Sequence, residues 1–111
     1  MKGLLNPILP VLMLLGLVAA PIYGEPSDKN IVSRTADIDG VKLHYLTAGH
    51  GPTVILLHGY AETSRMWRPI IPLLAEKFTV IAPDLPGIGD SGIPADKIDM
   101  KTSASRIHAL A

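Results

Sequence analysis

The residues best suited to catalysis lie in two short segments: residues 58–60, His-Gly-Tyr, and residues 84–91, Asp-Leu-Pro-Gly-Ile-Gly-Asp-Ser. The second segment comes close to the Gly-x-Ser-x-Gly elbow, which exposes a nucleophilic serine on a sharp turn between a strand and a helix. Ile93 stands where that motif needs its second glycine, and no buried strand of its own is predicted before Ser91. Neither Gly-x-Ser-x-Gly nor Gly-x-Asp-x-Gly occurs among the 111 residues, so these residues do not supply an elbow nucleophile.

Other chemistries match the sequence poorly. Residues 87–92 have the dinucleotide-binding spacing Gly-x-Gly-x-x-Gly, but Pro94 disfavours the helix that must open at the third glycine. His50 and Ser91 follow the chain order of a serine protease, yet only 41 positions separate them, too few for a double barrel. The four His residues include no His-x-x-x-His pair and the chain has no Cys, so we expect no metal site and no cofactor.

The fold that carries these two segments begins with a predicted antiparallel hairpin. Residues 31–38 and 41–47 each alternate apolar and polar side chains, which is typical of half-buried strands. Asp39-Gly40 between them is a strong hairpin signal, because both residues tolerate a positive φ. On the second strand, His44 falls on the more polar face, where a surface or hydrogen-bonded histidine is expected.

Two later segments are apolar on both faces, as in parallel strands covered by helices on each side. They are residues 53–57, Thr-Val-Ile-Leu-Leu, and residues 78–82, Phe-Thr-Val-Ile-Ala. Helical spacing predicts a short helix between them that presents Trp67, Ile70, Leu73 and Leu74 on one face. A last helix, capped by Asp99 or Thr102, is predicted to present Ala104, Ile107 and Ala111. The sequence therefore predicts the N-terminal part of a larger α/β domain.

Composition and the N-terminal segment restrict the partners and the compartment. Ten Lys and Arg balance ten Asp and Glu, which excludes the basic surplus of a nucleic-acid binder. Residues 3–24 carry no charge and follow Lys2, so we expect a signal peptide over residues 1–24 and a secreted or periplasmic protein. The alternative is a membrane anchor formed by residues 3–24. A linker over residues 25–30 and a single domain portion over residues 31–111 complete the predicted organisation.

The order of these motifs resembles the α/β-hydrolase fold, specifically its epoxide hydrolase and dehalogenase branch. A buried strand ending in His58-Gly59 precedes the Asp84 loop by about 26 residues, and Trp-Arg-Pro at positions 67–69 is similar to that branch. The resemblance covers residues 31–111 and implies the N-terminal part of the fold's sheet, which is incomplete here. It also implies that the strand of residues 53–57 lies beside the absent elbow strand. We therefore expect an exposed apolar edge and an isolated chain that is unstable or aggregates.

The resemblance also implies roles for individual residues. Tyr60 lends its backbone N–H to the oxyanion hole, Gly59 lets the chain turn beneath it, and His58 supports the loop through backbone hydrogen bonds. Asp84 and residues 87–91 form a structural loop near the site. Trp67 is expected in the core or the pocket wall, with direct substrate contact as the alternative.

The family resemblance implies a hydrolase most like epoxide hydrolases, which uses a covalent nucleophile, Ser or Asp, and a His-activated water on a small neutral molecule. Haloalkane dehalogenases typically carry Asn where this chain has Tyr60, which disfavours that activity. An esterase or haloacid dehalogenase of the same fold remains an alternative. The second alternative is a non-catalytic truncated product or a binding module, since this chain alone is expected to be inactive.

Overall fold

The computed structural model describes residues 30–111. The predicted signal peptide over residues 1–24 and nearly all of the predicted linker lie outside the described residues, so the structure does not bear on them. Within residues 30–111, no helix combines the length and the apolar character that crossing a membrane requires.

The predicted hairpin is confirmed. Strand β1 spans Val32–Ile38 and strand β2 spans Val41–Ala48, and they pair antiparallel with Ile38 opposite Val41. Asp39 and Gly40 form the turn with φ angles of 47° and 74°, as a two-residue turn between twisted strands requires. Strand β2 is buried along most of its length, whereas β1 is largely exposed. Strand β1 is therefore less buried than its alternating pattern suggested.

Strands β3 and β4 form the predicted parallel pair. Strand β3 spans Thr53–Ile55 and strand β4 spans Thr79–Pro83. The described sheet has the order β1-β2-β4-β3, with β2 antiparallel to β4, so β3 is its last strand. The expectation of an exposed apolar edge is confirmed, because β3 is only half-buried and Leu57, just beyond it, is 53% exposed.

The prediction of one continuous helix from Trp67 to Leu74 is wrong. A 3₁₀ turn spans Ser64–Trp67, and a separate single-turn helix, α1, spans Ile71–Leu74. Pro69 lies between these two turns, and Pro72 lies within α1, where it removes an N–H that a helix continuous from Trp67 would bond. The interruption changes the helical phase. Ile71 is therefore the buried residue, while the predicted core residues Ile70 and Leu73 are exposed.

Helix α2 spans Met100–Leu110 and begins where the sequence predicted. The Asp99 carboxylate caps it by accepting a hydrogen bond from the Thr102 N–H at 2.7 Å. Its buried face carries Ser103, Arg106 and Ile107 rather than the predicted Ala104, which is exposed. The predicted stripe was therefore centred about one position away from the side that meets the sheet.

Apolar side chains pack on both faces of the sheet. One cluster joins α1 to the sheet and contains Leu46, Ala48, Ile71, Val80 and Ala82. The other joins α2 to the hairpin and contains Val41, Leu43 and Ile107. The architecture of residues 30–111 is α/β, as predicted.

Candidate active-site loop at the ends of the parallel strands

The two segments singled out in the sequence follow the two parallel strands. Residues 58–60 come after β3, and the loop that begins at Asp84 comes directly after β4. Because carboxyl ends of parallel strands meet at one edge of a sheet, both loops lie at the edge where open α/β sheets bind ligands. The fold therefore brings together two segments that are 26 residues apart in sequence.

His58 connects these two loops. Its ring is buried, and the Leu85 N–H donates to its Nε2 at 3.0 Å. Since Nε2 accepts, Nδ1 carries the proton and donates to the Gly59 carbonyl oxygen at 3.0 Å. Both ring nitrogens are therefore engaged with backbone groups, and the ring has no free lone pair for proton abstraction.

Gly59 and Tyr60 form the exposed tip of this loop. The Tyr60 side chain is fully exposed, and within residues 30–111 no acceptor bonds its backbone N–H. The next residue, Ala61, has a φ of 59°, a left-handed conformation that costs a non-glycine residue about 1–2 kcal/mol. Strain of this kind often marks a loop whose backbone direction matters for function. The loop thus holds an unpaired N–H donor above the strand end.

Asp84 is the polar centre of the second loop. Its side chain is 2% exposed and accepts the Ser64 N–H at 2.7 Å and the Asp90 N–H at 3.0 Å. Its Oδ2 also bonds His44 Nδ1 at 2.8 Å. Burial raises the pKa of Asp84, but the hydrogen bonds from Ser64, Asp90 and His44 outweigh burial and lower that pKa below its usual value. The carboxylate therefore stays ionised and holds the loop in place.

His44 and Ser91 extend this network. The Ser91 hydroxyl donates to the Asp84 carbonyl oxygen at 2.7 Å and accepts the His44 N–H at 2.9 Å. His44 Nε2 lies 2.6 Å from the Ser33 hydroxyl on β1. The sequence predicted a surface or hydrogen-bonded His44, but not these partners. The hairpin register was the available signal, because the Asp39-Gly40 turn places Thr35 opposite His44 and Ser33 diagonal to it.

One group within residues 30–111 has atoms close enough together to hold a metal ion. His44, Asp84 and Asp90 each offer a ligand atom, and these atoms lie within 4.8 Å of one another. The Asp84 carboxylate, however, already accepts two backbone N–H groups and bonds the His44 ring. The arrangement is therefore a satisfied hydrogen-bond network, and we propose no metal there.

Trp67 packs against the cluster beneath α1, and its ring is half-buried. Its indole N–H is buried without an acceptor in the described part of the chain. The structure places it in the packing between α1 and the sheet.

An apolar groove of about 500 Å³ lies beside the candidate loop, between the end of β3 and helix α2. Its lining comes mainly from apolar side chains of both elements and includes Ile55, Leu57, His58, Leu85, Met100 and Ile107. His58 is common to the groove and to the loop network. Ile55 and Leu57 in this lining belong to the exposed edge of the sheet, beside which the resemblance places the elbow strand.

Comparisons with known proteins agree with this geometry. A family model described as "alpha/beta hydrolase fold" matches residues 52–110. The chain is 48% identical over 80 residues to a soluble epoxide hydrolase of Corynebacterium sp. (strain C12), covering 72% of this chain and 28% of that protein. It is 38% identical over 76 residues to a fluoroacetate dehalogenase of Burkholderia sp., covering 68% of this chain and 25% of that protein.

The similarity extends to solved structures. The Cif epoxide hydrolase from Acinetobacter nosocomialis matches with a TM-score of 0.70 and 32% identity, over 74% of this chain and 26% of that one. A haloalkane dehalogenase loop variant from Bradyrhizobium elkanii matches with a TM-score of 0.68 and 35% identity, over 73% of this chain and 28% of that one. The chain thus spans about a quarter of the length of these relatives.

Proposed function

Because this chain belongs to the α/β-hydrolase fold family, we propose that it supplies part of the oxyanion hole of an epoxide hydrolase-like enzyme. The observation that carries the proposal is the loop after β3, where His58 bonds both Gly59 and Leu85 and the Tyr60 N–H stays unpaired. A donor fixed before the reaction stabilises developing negative charge without reorganisation, and losing one such donor costs about 3–4 kcal/mol.

In this proposal the nucleophile and its His-activated water come from residues that the 111-residue sequence does not contain. The nucleophile attacks a small neutral epoxide to form a covalent intermediate, which water then hydrolyses. The Tyr60 N–H stabilises the oxyanion that forms during this hydrolysis. Without the nucleophile, we expect the 111 residues alone to be inactive.

A chimera tests the role of Tyr60 directly. The 80 matched residues of the Corynebacterium relative are replaced by the corresponding residues of this chain, so that the relative supplies the nucleophile. Tyr60→Pro removes the backbone N–H, and we expect kcat for a small epoxide to fall by about 100- to 1000-fold. Tyr60→Phe is the matched control: it keeps the N–H and changes only a fully exposed side chain, so activity should be retained.

Two results would refute this role. One is equal activity of folded Tyr60→Pro and Tyr60→Phe chimeras. The other is a Tyr60→Pro chimera whose loss lies entirely in KM, because an oxyanion donor acts in the reaction rather than in substrate binding. Circular dichroism of each chimera separates a chemical defect from a folding defect.

The reaction class follows from the residue at the elbow. Determining the coding sequence beyond codon 111 in the source DNA identifies that residue. A Gly-x-Asp-x-Gly elbow within about 20 codons supports epoxide or carbon–halogen hydrolysis, whereas Gly-x-Ser-x-Gly supports an esterase. A stop codon directly after Ala111 would overturn the enzymatic proposal and favour a non-catalytic product.

We also propose that the protein is exported, since residues 3–24 are uncharged and follow Lys2. Mass spectrometry of the N-terminus in the natural host provides the test. A mature protein that begins near Glu25 supports cleavage and secretion. Retention of residues 1–24 in a membrane fraction would instead identify them as an anchor.

A further inference from the structure

Ser33, His44 and Asp84 form a continuous chain of hydrogen bonds at one side of the hairpin. The Ser33 hydroxyl oxygen lies 2.6 Å from His44 Nε2, and His44 Nδ1 lies 2.8 Å from Asp84 Oδ2. The three residues come from β1, from β2 and from the loop after β4. These atoms match, one for one, the order of serine, histidine and aspartate in acyl-transfer sites.

The hydrogen bonds determine where the protons are in the neutral form of the ring. Asp84 is buried and ionised, and two further backbone N–H groups hold its carboxylate in place. An ionised carboxylate only accepts, so His44 Nδ1 carries the ring proton and Nε2 presents its lone pair to Ser33. The Ser33 hydroxyl then donates to Nε2, which is the arrangement needed to remove its proton.

Access differs between the members of this chain of hydrogen bonds. His44 and Asp84 are buried, whereas Ser33 is exposed on β1, so a reagent can reach its hydroxyl without entering a cavity. Strand β1 is also the first strand of the described sheet, and no described strand pairs with its outer side. Backbone N–H groups on that side are donors of the kind that an oxyanion requires.

We propose that Ser33 is an activated nucleophile that accepts acyl or phosphonyl groups from small reagents with a good leaving group. With an aryl ester, the Ser33 oxygen bonds to the carbonyl carbon while its proton moves to His44 Nε2. The carbon–oxygen bond to the aryloxide then breaks, and the aryloxide takes that proton. The products are an ester at Ser33 and a free phenol. The Asp84 carboxylate stabilises the imidazolium that forms in between.

The test compares serines within one molecule. The full chain is incubated with an alkyl phosphonofluoridate, which labels serine oxygen and releases fluoride, and is then digested with trypsin. Ser33 is the only hydroxyl residue in the peptide of residues 30–34, and exposed Ser105 lies in the peptide of residues 102–106. General-base assistance contributes about 100-fold or more, so Ser33 should be labelled at least about 100-fold faster than Ser105.

Variants test whether His44 causes the faster labelling of Ser33. Ser33→Ala should abolish labelling of the first peptide, and Ser105→Ala should leave labelling of Ser33 unchanged. His44→Asn keeps a donor for Asp84 but removes the base, so Ser33 should lose its advantage over Ser105. Circular dichroism and Trp67 fluorescence establish that each variant is folded.

Two outcomes overturn the proposal: labelling of Ser33 no faster than Ser105, or an advantage of Ser33 that persists in folded His44→Asn. If His44→Asn does not fold, cysteine variants replace it. The Ser33→Cys thiol should then react with iodoacetamide at least about 100-fold faster than the Ser105→Cys thiol, and equal rates overturn the proposal.

Discussion

Leu57→Lys should weaken self-association of the isolated chain. Leu57 follows β3 at the last strand of the described sheet and is 53% exposed. Burying a whole leucine side chain contributes about 1.5–3 kcal/mol, so covering the exposed half contributes about 1 kcal/mol. When two copies pair through this edge, both leucines become covered and the gain is about 2 kcal/mol. The substitution should therefore raise the dissociation constant by about 30-fold.

Leu73→Lys is the matched control, because Leu73 is 63% exposed but lies on α1 rather than at the sheet edge. Both variants and the parent are expressed without residues 1–24 and examined by sedimentation equilibrium over a range of concentrations. We expect the parent and Leu73→Lys to associate at concentrations where Leu57→Lys is monomeric. A monomeric parent with a sharp, cooperative thermal transition would show that the edge does not self-associate, and so would equal behaviour of the two lysine variants.

Two further predictions concern the Asp84 loop and use the Leu57→Lys background, with unfolding in urea followed by Trp67 fluorescence. Gly89→Ala should cost at least about 2 kcal/mol more than Gly40→Ala. Both residues have a positive φ, but only at Gly89 would the new Cβ lie 2.5 Å from Asp84 Oδ2 and disrupt a charged hydrogen bond. Equal losses in the free energy of unfolding for the two variants would contradict this prediction. The pKa of Asp84 is lowered below 3.8 in the folded state, so its stabilising contribution is complete above that pH and is lost as the pH falls through the folded pKa. The urea midpoint should therefore fall on acidification below pH 3.8, and less steeply in Asp84→Asn; parallel profiles would show that another group is responsible.

The Asp84 loop links the stability of the fold to the geometry of the candidate site. Leu85 N–H bonds His58, and His58 in turn bonds the carbonyl oxygen of Gly59. Displacing Asp84 would therefore be transmitted through Leu85 to the loop that carries the proposed oxyanion donor. Variants of Asp84 in the chimera should lose activity together with stability, whereas Tyr60→Pro should lose activity while the protein stays folded.

Local features of the fold were predictable from the residues alone. The Asp39-Gly40 turn and the Asp99 cap each depend on side chains and backbone angles within a few residues. The ends of the helices were harder, because Pro69 and Pro72 divide the segment before β4 into two short turns. Once the helix is interrupted, spacing no longer predicts which side is buried, and Ile71 replaces Ile70 in the core.

The candidate site, like the fold, was predictable from the sequence only in part. The residue types and their order along the chain identified His58, Gly59 and the Asp84 loop as candidate site segments, because glycine-containing loops after apolar strands leave a recognisable pattern. Only the folded sheet brought His44 to Asp84, 40 positions away, and Ser33 to His44. Contacts of that range depend on strand order and register, which are set by the packing of both faces of the sheet rather than by neighbouring residues.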